Sequence, residues 1–255
     1  MKPVAVFPMN DPAGILFPHL ESITPLLKEI FARAFVSVTA ETQKVVPDYM
    51  IWLKNDNFFQ AIFHESELSV GEDFLTLYAE AARAVEPDQL LHLCFIDRLA
   101  FALQSSYQAT FIQDIQQVRS EETPLIFQRS EAAWATHPNN YQQLEQMVTQ
   151  VGQWLLGKQL DFAWCYLVLQ AKQLQQMIPH IHRRDISLVA EFTLAGKDII
   201  KTKEVDWLAW EDPFILDRNP QQLKAEKEKS IEETQKRLNY VIPMLQLLKM
   251  AASHS

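Results

Sequence analysis

An acidic and a basic side chain follow directly on a run of apolar residues near the middle of the chain. The sequence reads LHLCF at 91–95, and Asp97 and Arg98 come where a helix would begin. A carboxylate at the carboxyl end of a strand can hold a hard cation such as Mg²⁺ or Mn²⁺, and a guanidinium can bind phosphate through two hydrogen bonds. On position alone, Asp97 serves equally well as the N-cap of the helix. The segment therefore predicts either a phosphate-binding site or a helix cap.

The first loop of the chain offers a second carboxylate. An apolar run at 4–8 is followed by DPAG at 11–14, so Asp11 lies just beyond the carboxyl end of a predicted strand. In an open α/β sheet ligands bind at those ends, which makes Asp11 a candidate ligand contact. The same residues also suit an Asx-Pro turn that only reverses the chain.

Three further segments carry candidate functional groups. His137 precedes a helix and is either a functional imidazole or a turn residue. Asp185 is a separate acidic candidate. In VDWLAWED at 205–212, Trp210 and Glu211 combine an aromatic face with a carboxylate, which suits a sugar ring as well as a packed loop.

Composition and missing motifs exclude several classes of function. The formal charge of −9 and the pI of about 5.3 argue against a nucleic-acid binder. No apolar run reaches the length of a membrane span, and the first residues lack the pattern of a signal peptide. The chain has no G-x-G-x-x-G, P-loop or G-x-S-x-G pattern. The two cysteines, Cys94 and Cys165, lie in apolar stretches and predict buried thiols in a cytoplasmic protein.

The elements that must position these groups alternate between short apolar runs and segments of helical period. This alternation predicts a single α/β domain with a mostly parallel central sheet. The predicted strands lie at 4–8, 35–39, 59–63, 90–95, 124–127, 161–165 and 199–206. The predicted helices lie at 19–33, 43–54, 70–85, 97–118 and 138–156, with a glutamine-rich helix after 165 and a long one at 221–250.

Glycine and proline residues predict where two of the helices end or bend. Gly157 is expected to end the helix at 138–156, and Pro243 is expected to kink or split the last helix. We expect residues 1–219 to form the α/β domain and residues 220–255 a C-terminal helical extension. The extension would pack on its own domain or offer a surface for a homodimer.

The order of the motifs resembles a family of bacterial proteins with a glycosyltransferase-A-like (nucleotide-diphospho-sugar transferase) fold. The resemblance covers most of residues 4–214, and each motif is weak by itself. The matching segments are DPAG at 11–14, VSVT at 36–39, CFIDR at 94–98, THP at 136–138, LGK at 156–158 with Asp161, and VDWLAWE at 205–211.

The resemblance implies a three-layer α/β domain that binds a UDP- or GDP-sugar and transfers the sugar to an unknown acceptor. It implies Mg²⁺ or Mn²⁺ at Asp97. The nucleotide-sugar contacts that it implies are Asp11, Gly14, Thr39, Arg98, Arg129, Trp210 and Glu211, of which Trp210 and Glu211 would position the acceptor. The catalytic residues that it implies are Asp97, Asp185 and His137.

The chain departs from the family pattern at the residues that would do the chemistry. The central motif has Phe95 where the family has its first acidic residue, and the segment before Arg129 lacks the expected glycine. Bulky side chains at 162–167 replace a small, glycine-containing stretch. Two interpretations follow: Asp97 holds the metal with help from Asp11 or Asp185, or the chain is a degenerate member that binds a ligand or partner without transferring sugar.

Overall fold

A seven-stranded sheet forms the centre of the computed structural model, which describes residues 2–253. The strands are β1 (Val4–Met9), β2 (Arg33–Val38), β3 (Phe59–Phe63), β4 (Leu90–Cys94), β5 (Leu125–Arg129), β6 (Tyr166–Gln170) and β7 (Lys201–Val205). Their order across the sheet is β3-β2-β1-β4-β6-β5-β7. Only β6 runs antiparallel to its neighbours within this sheet.

The helices connect the strands and cover both faces of the sheet. The first six are α1 (Leu16–Ile30), α2 (Ala40–Val45), α3 (Pro47–Asn55), α4 (Val70–Arg83), α5 (Ile96–Gln104) and α6 (Gln108–Gln117). The others are α7 (Glu131–Thr136), α8 (Asn139–Leu156), α9 (Ala171–Met177), α10 (Leu188–Ala195), α11 (Asp212–Ile215), α12 (Pro220–Lys229) and α13 (Ile231–Ala252).

Alternating side chains of the strands divide the core into two layers. In β1, Ala5, Phe7 and Met9 pack with α1, α5 and α6, whereas Val4 and Val6 pack on the opposite face with α4, α9 and α10. Both faces of the strand are apolar because both are covered by helices. The α/β fold with a mostly parallel sheet is therefore confirmed.

Most predicted elements are present, and the first departure is at a proline. The helix predicted at 43–54 is two helices, because Val46 leaves the helical conformation immediately before Pro47. The ring of a proline disfavours helical geometry at the preceding residue, and Pro47 then fits the first turn of α3.

The strand predicted at 161–165 is wrong, since the strand lies at Tyr166–Gln170 instead. The carboxylate of Asp161 accepts a hydrogen bond from the backbone N–H of Ala163 and closes a turn. Phe162 and Trp164 are buried beside this turn and fill the core beneath it. The apolar pattern reflects burial of these side chains, but the turn keeps them out of the sheet.

The C-terminal segment breaks at Ser230 and continues through Pro243. Ser230 caps α13 by accepting a hydrogen bond from the backbone of Glu233, whereas Pro243 lies inside that helix. The buried residues of α13 share a core with Val148 of α8. The helical extension thus packs on the α/β domain, and a boundary at residue 219 stays a prediction.

Two expectations from composition can be compared with the described residues. Cys94 and Cys165 are buried free thiols, as predicted. None of the helices within residues 2–253 is long and apolar enough to cross a membrane.

Candidate functional site

A cavity of about 410 Å³ opens at the carboxyl ends of β1, β2, β4 and β5. Asn10, Thr39, Asp97 and Arg129 each follow or end one of these strands and line the cavity. Parallel strands present their carboxyl ends on the same edge of the sheet, which brings these distant residues together. We call it the arginine cavity because three arginines line it: Arg98, Arg129 and Arg237.

Arg98 lies in the first turn of α5 and is almost fully buried. Its guanidinium forms an ion pair with Glu211 and donates a hydrogen bond to the carbonyl oxygen of Ala209 at 3.1 Å. The loop from 206 to 211 is thereby tied to the start of α5. A buried guanidinium requires such partners because an unpaired charge is costly in the interior.

Arg129 and Arg237 share one carboxylate, that of Glu145. Nη1 of Arg129 lies 2.9 Å from one carboxylate oxygen, and Nη1 of Arg237 lies 2.5 Å from the other. Nη2 of Arg129 contacts the sulfur of Cys165 at 3.0 Å, whereas its Nε has no hydrogen-bond partner among the described residues. The cavity wall therefore holds two guanidinium groups and a single carboxylate between them.

Sequence reasoning missed Glu145 and Arg237, although a signal for both is present. Glu145 follows the spacing of the buried stripe of α8, which consists of Tyr141, Glu145, Val148 and Gly152. Arg237 precedes the buried residues Val241, Met244 and Leu248 of α13 with the same spacing. A charged residue on the apolar stripe of a helix needs a buried partner, and the packing of α8 against α13 supplies it.

The carboxylates of the cavity differ in their electrostatics. Burial raises the pKa of Glu145, but Arg129, Arg237 and Arg98 outweigh that effect and hold its pKa below the usual value. For Glu211, burial is the largest effect and, with Asp97, raises the pKa to about 8 against the attraction of Arg98. Burial likewise raises the pKa of Asp97, with Arg98 opposing it.

This difference decides the charge of the cavity. Its three guanidinium groups stay charged, whereas the pKa of Glu211, raised to about 8, reduces the negative charge of that carboxyl group near neutral pH. A fourth acidic group of the lining, Asp73, is paired with His64 at 2.8 Å. The wall near Glu145 is therefore suited to an anionic ligand.

Hydrogen bonds join the two loops at the β1 and β2 end of the cavity. The hydroxyl of Thr39 donates to the side chain of Asn10 at 3.3 Å and lies 2.8 Å from the hydroxyl of Thr42. Thr42 in turn accepts a hydrogen bond from the backbone of Asp11 at 2.7 Å. Asn10 and Thr39 are thus held side by side at the rim.

Asp11 does not line the cavity and has a different role from the one expected. It is 2 % exposed, and its carboxylate accepts hydrogen bonds from the backbone N–H groups of Ile15, Leu16 and Phe17. These donors have no partner within α1, so Asp11 caps that helix in place of meeting a ligand. Gly14, with a φ of +71°, also lies outside the cavity lining and lets the loop turn close to Val46.

Three other expected residues lie outside the cavity lining. His137 is buried, its Nδ1 lies 3.0 Å from the carbonyl of Ala133, and burial holds its pKa well below the ordinary value. Asp185 is exposed and accepts a hydrogen bond from the backbone of Ser187. Trp210 is buried, and its backbone N–H donates to Thr136 at 2.8 Å. These contacts favour a turn role for His137 and a packed-loop role for Trp210.

The donor set around Asp97 does not fit Mg²⁺ or Mn²⁺. Within residues 2–253, no three histidine, cysteine or acidic side chains stand together so that they could hold a metal ion. The expected helpers are elsewhere, because Asp11 caps α1 and Asp185 lies outside the cavity lining. Hard cations need several oxygen ligands, and Asp97 has the guanidinium of Arg98 beside it instead.

Comparison with known proteins adds no family assignment. No protein-family model matches the chain, and no curated protein is significantly similar to it.

Proposed function

We propose that the protein binds a nucleotide-diphosphate sugar in the arginine cavity, and that its fold is glycosyltransferase-A-like. The observation that carries this proposal is the convergence of Arg98, Arg129 and Arg237 at the carboxyl edge of the sheet. The mostly parallel sheet between helical layers is the architecture that the sequence resemblance implies.

In this proposal the guanidinium groups neutralise the charge of the diphosphate, which is the role of the metal ion in the family that the sequence resembles. A diphosphate carries charge that needs several donors, and an arginine offers five N–H groups in a planar fork. Arg98 and Arg129 are held by Glu211 and Glu145, and Arg237 is anchored through Glu145. The free Nε of Arg129 leaves one buried donor for the ligand.

The other end of the cavity suits the nucleoside. Asn10 and Thr39 provide an amide and a hydroxyl at the rim, and Phe74 and Phe95 add apolar surface. Amide and hydroxyl groups can bind ribose hydroxyls or the edge of a base, and the apolar wall can pack against the base. The cavity volume of about 410 Å³ is within the range of small-molecule sites.

A second candidate function is binding without sugar transfer. The lack of a metal donor set near Asp97 and the capping role of Asp11 favour it. In that case the protein is a degenerate member of the fold family, and the nucleotide sugar is a bound ligand that is not consumed.

Isothermal titration of the intact protein with UDP, GDP, UDP-glucose and GDP-mannose tests the proposal. We expect binding of at least one of these ligands, with the same affinity in EDTA as in Mn²⁺. The Arg237→Met variant should bind about tenfold more weakly, because it removes a charge-assisted hydrogen bond. Its matched control is Lys236→Met, whose exposed ammonium lies next in sequence and outside the cavity lining.

The result that would overturn the proposal is the absence of heat with every ligand while circular dichroism shows the protein folded. Equal affinities of the Arg237→Met and Lys236→Met variants would also contradict it. Anion-exchange chromatography then measures whether UDP or GDP is released from the bound nucleotide sugar. Release indicates a transferase, and its absence indicates binding without sugar transfer.

A further inference from the structure

A second cavity, of about 370 Å³, shares Arg129 with the arginine cavity and is lined by residues of α7, α8, β5 and β7. We call it the amide groove because five glutamines line it: Gln128, Gln146, Gln150, Gln153 and Gln159. Three of these glutamines lie on one face of α8 together with Thr149, at helical spacing. Of its lining, the sequence motifs single out only Arg129 and Asp161, and the proposed function uses only Arg129.

The packing of α8 shapes one wall of the groove. Gly152 faces the ring of Phe162 so closely that a Cβ would lie 2.2 Å from it. This close approach holds the turn that carries Asp161 against the helix. Asp161 is 7 % exposed and lines the groove.

The polar groups of the groove match a ligand that both donates and accepts hydrogen bonds. Each glutamine amide offers two donors and an acceptor, and carboxylates accept from hydroxyl groups. Sugar hydroxyls donate and accept in the same way. Trp134 adds an aromatic surface, one face of which is covered by the guanidinium of Arg129 at 4.2 Å from the ring centroid.

Charge separates the amide groove from the arginine cavity. Three carboxylates line it, those of Glu131, Asp161 and Glu204, against the single guanidinium of Arg129. A phosphate group is therefore repelled. A polyamine would pair with the carboxylates, but it has no acceptor for the amide N–H groups, so a neutral hydroxyl-rich ligand matches more of the lining.

We propose that the amide groove is a binding site for a neutral carbohydrate. The glutamines of α8 bind its hydroxyl groups, Asp161 accepts from one of them, and Trp134 packs against its C–H groups. This site does not depend on nucleotide binding in the arginine cavity.

Saturation-transfer NMR of the intact protein with maltotriose, cellotriose, chitotriose and spermidine tests the proposal. We expect at least one trisaccharide to bind. The double variant Gln150→Ala, Gln153→Ala should weaken that binding about tenfold, because two hydrogen-bonding side chains are removed. Gln143→Ala is the matched control, since Gln143 is an exposed glutamine of the same helix outside the groove lining.

Three results would overturn the proposal. They are the absence of saturation transfer to all three trisaccharides, tighter binding of spermidine than of any trisaccharide, and equal trisaccharide binding by the double variant and by Gln143→Ala. Both variants change solvent-accessible side chains on α8, so we expect both to fold, and thermal unfolding checks this.

Discussion

The arginine cavity and the amide groove share Arg129 in their linings, yet they are built differently. The arginine cavity has charged groups that are buried and paired, such as Arg129 with Glu145. The amide groove has uncharged amides, and several of its polar side chains, including Gln146 and Gln150, are exposed.

Burial couples the residues of a site to the stability of the fold. A buried ion pair contributes little net stability, but removal of one partner leaves an uncompensated charge in the interior. An exposed amide stays hydrated, so its removal costs the fold almost nothing. We therefore expect variants of the arginine cavity to alter both stability and binding, and variants of the amide groove to alter binding alone.

Replacement of Glu145 should have the largest effect. Glu145→Gln leaves the guanidinium groups of Arg129 and Arg237 without their shared carboxylate, and we expect the free energy of unfolding to fall by about 3–5 kcal/mol. Chemical denaturation measures the change. Glu131→Gln, an exposed carboxylate of the amide groove, is the control and should stay within about 0.5 kcal/mol of the parent protein. Equal losses of unfolding free energy in Glu145→Gln and Glu131→Gln would contradict this difference between the two cavities.

Replacement of Asp11 should have the next largest effect, and on stability alone. Asp11→Ala leaves the first N–H groups of α1 without an acceptor, which should cost about 1–2 kcal/mol in thermal or chemical denaturation. Asp11→Asn should keep most of the stability of the parent protein, because an amide oxygen also caps. Nucleotide affinity should be unchanged in Asp11→Asn, and a loss of affinity without a loss of stability would assign Asp11 a direct ligand contact.

The pH dependence of ligand binding should differ between the two cavities. Burial raises the pKa of Glu211 to about 8 in spite of Arg98, so the negative charge in its contact with Arg98 becomes complete only as the pH rises through that value. The added charge repels a diphosphate, and we expect nucleotide-sugar affinity to fall about tenfold above this pH. Glu211→Gln should remove the fall. Trisaccharide binding in the amide groove should stay constant over the same range, and a parallel loss there would contradict the assignment.

Replacement of Asp185 should have the smallest effect. Asp185→Ala removes an exposed turn contact to Ser187, and we expect a change of about 0.5 kcal/mol in unfolding free energy. Nucleotide binding and any nucleotide release should be unchanged. A selective loss of nucleotide release, measured with the binding affinity intact, would restore the catalytic role that the sequence resemblance implies.

Local sequence patterns predicted some elements of the fold closely, but the helix predicted at 97–118 is two helices, α5 and α6. The strand at 59–63 was predicted within its observed bounds, and the helix at 138–156 begins and ends within one residue of its prediction. Gly157 ends that helix with a φ of +67°, as its position indicated. The strand at 161–165 was wrong because the apolar pattern records burial and does not distinguish a strand from a packed turn.

The candidate site was predicted in part. Thr39, Asp97, Arg98, Arg129 and Glu211 were singled out from the sequence, and all of them line the arginine cavity. Glu145 and Arg237 were missed, because charged residues on helices are usually solvated and their pairing depends on which helices pack together.

The alternation of strands and helices can be derived from the amino-acid sequence, and so can the edge of the sheet where polar side chains collect. These properties follow from hydrophobic period and from local turn chemistry, both of which act between near neighbours in the chain. The tertiary structure alone decided that Asp11 caps a helix, and that Arg129 and Arg237 share the carboxylate of Glu145. Pairs of this kind join residues far apart in sequence, and their partners are selected by the packing of whole helices, which no local pattern records.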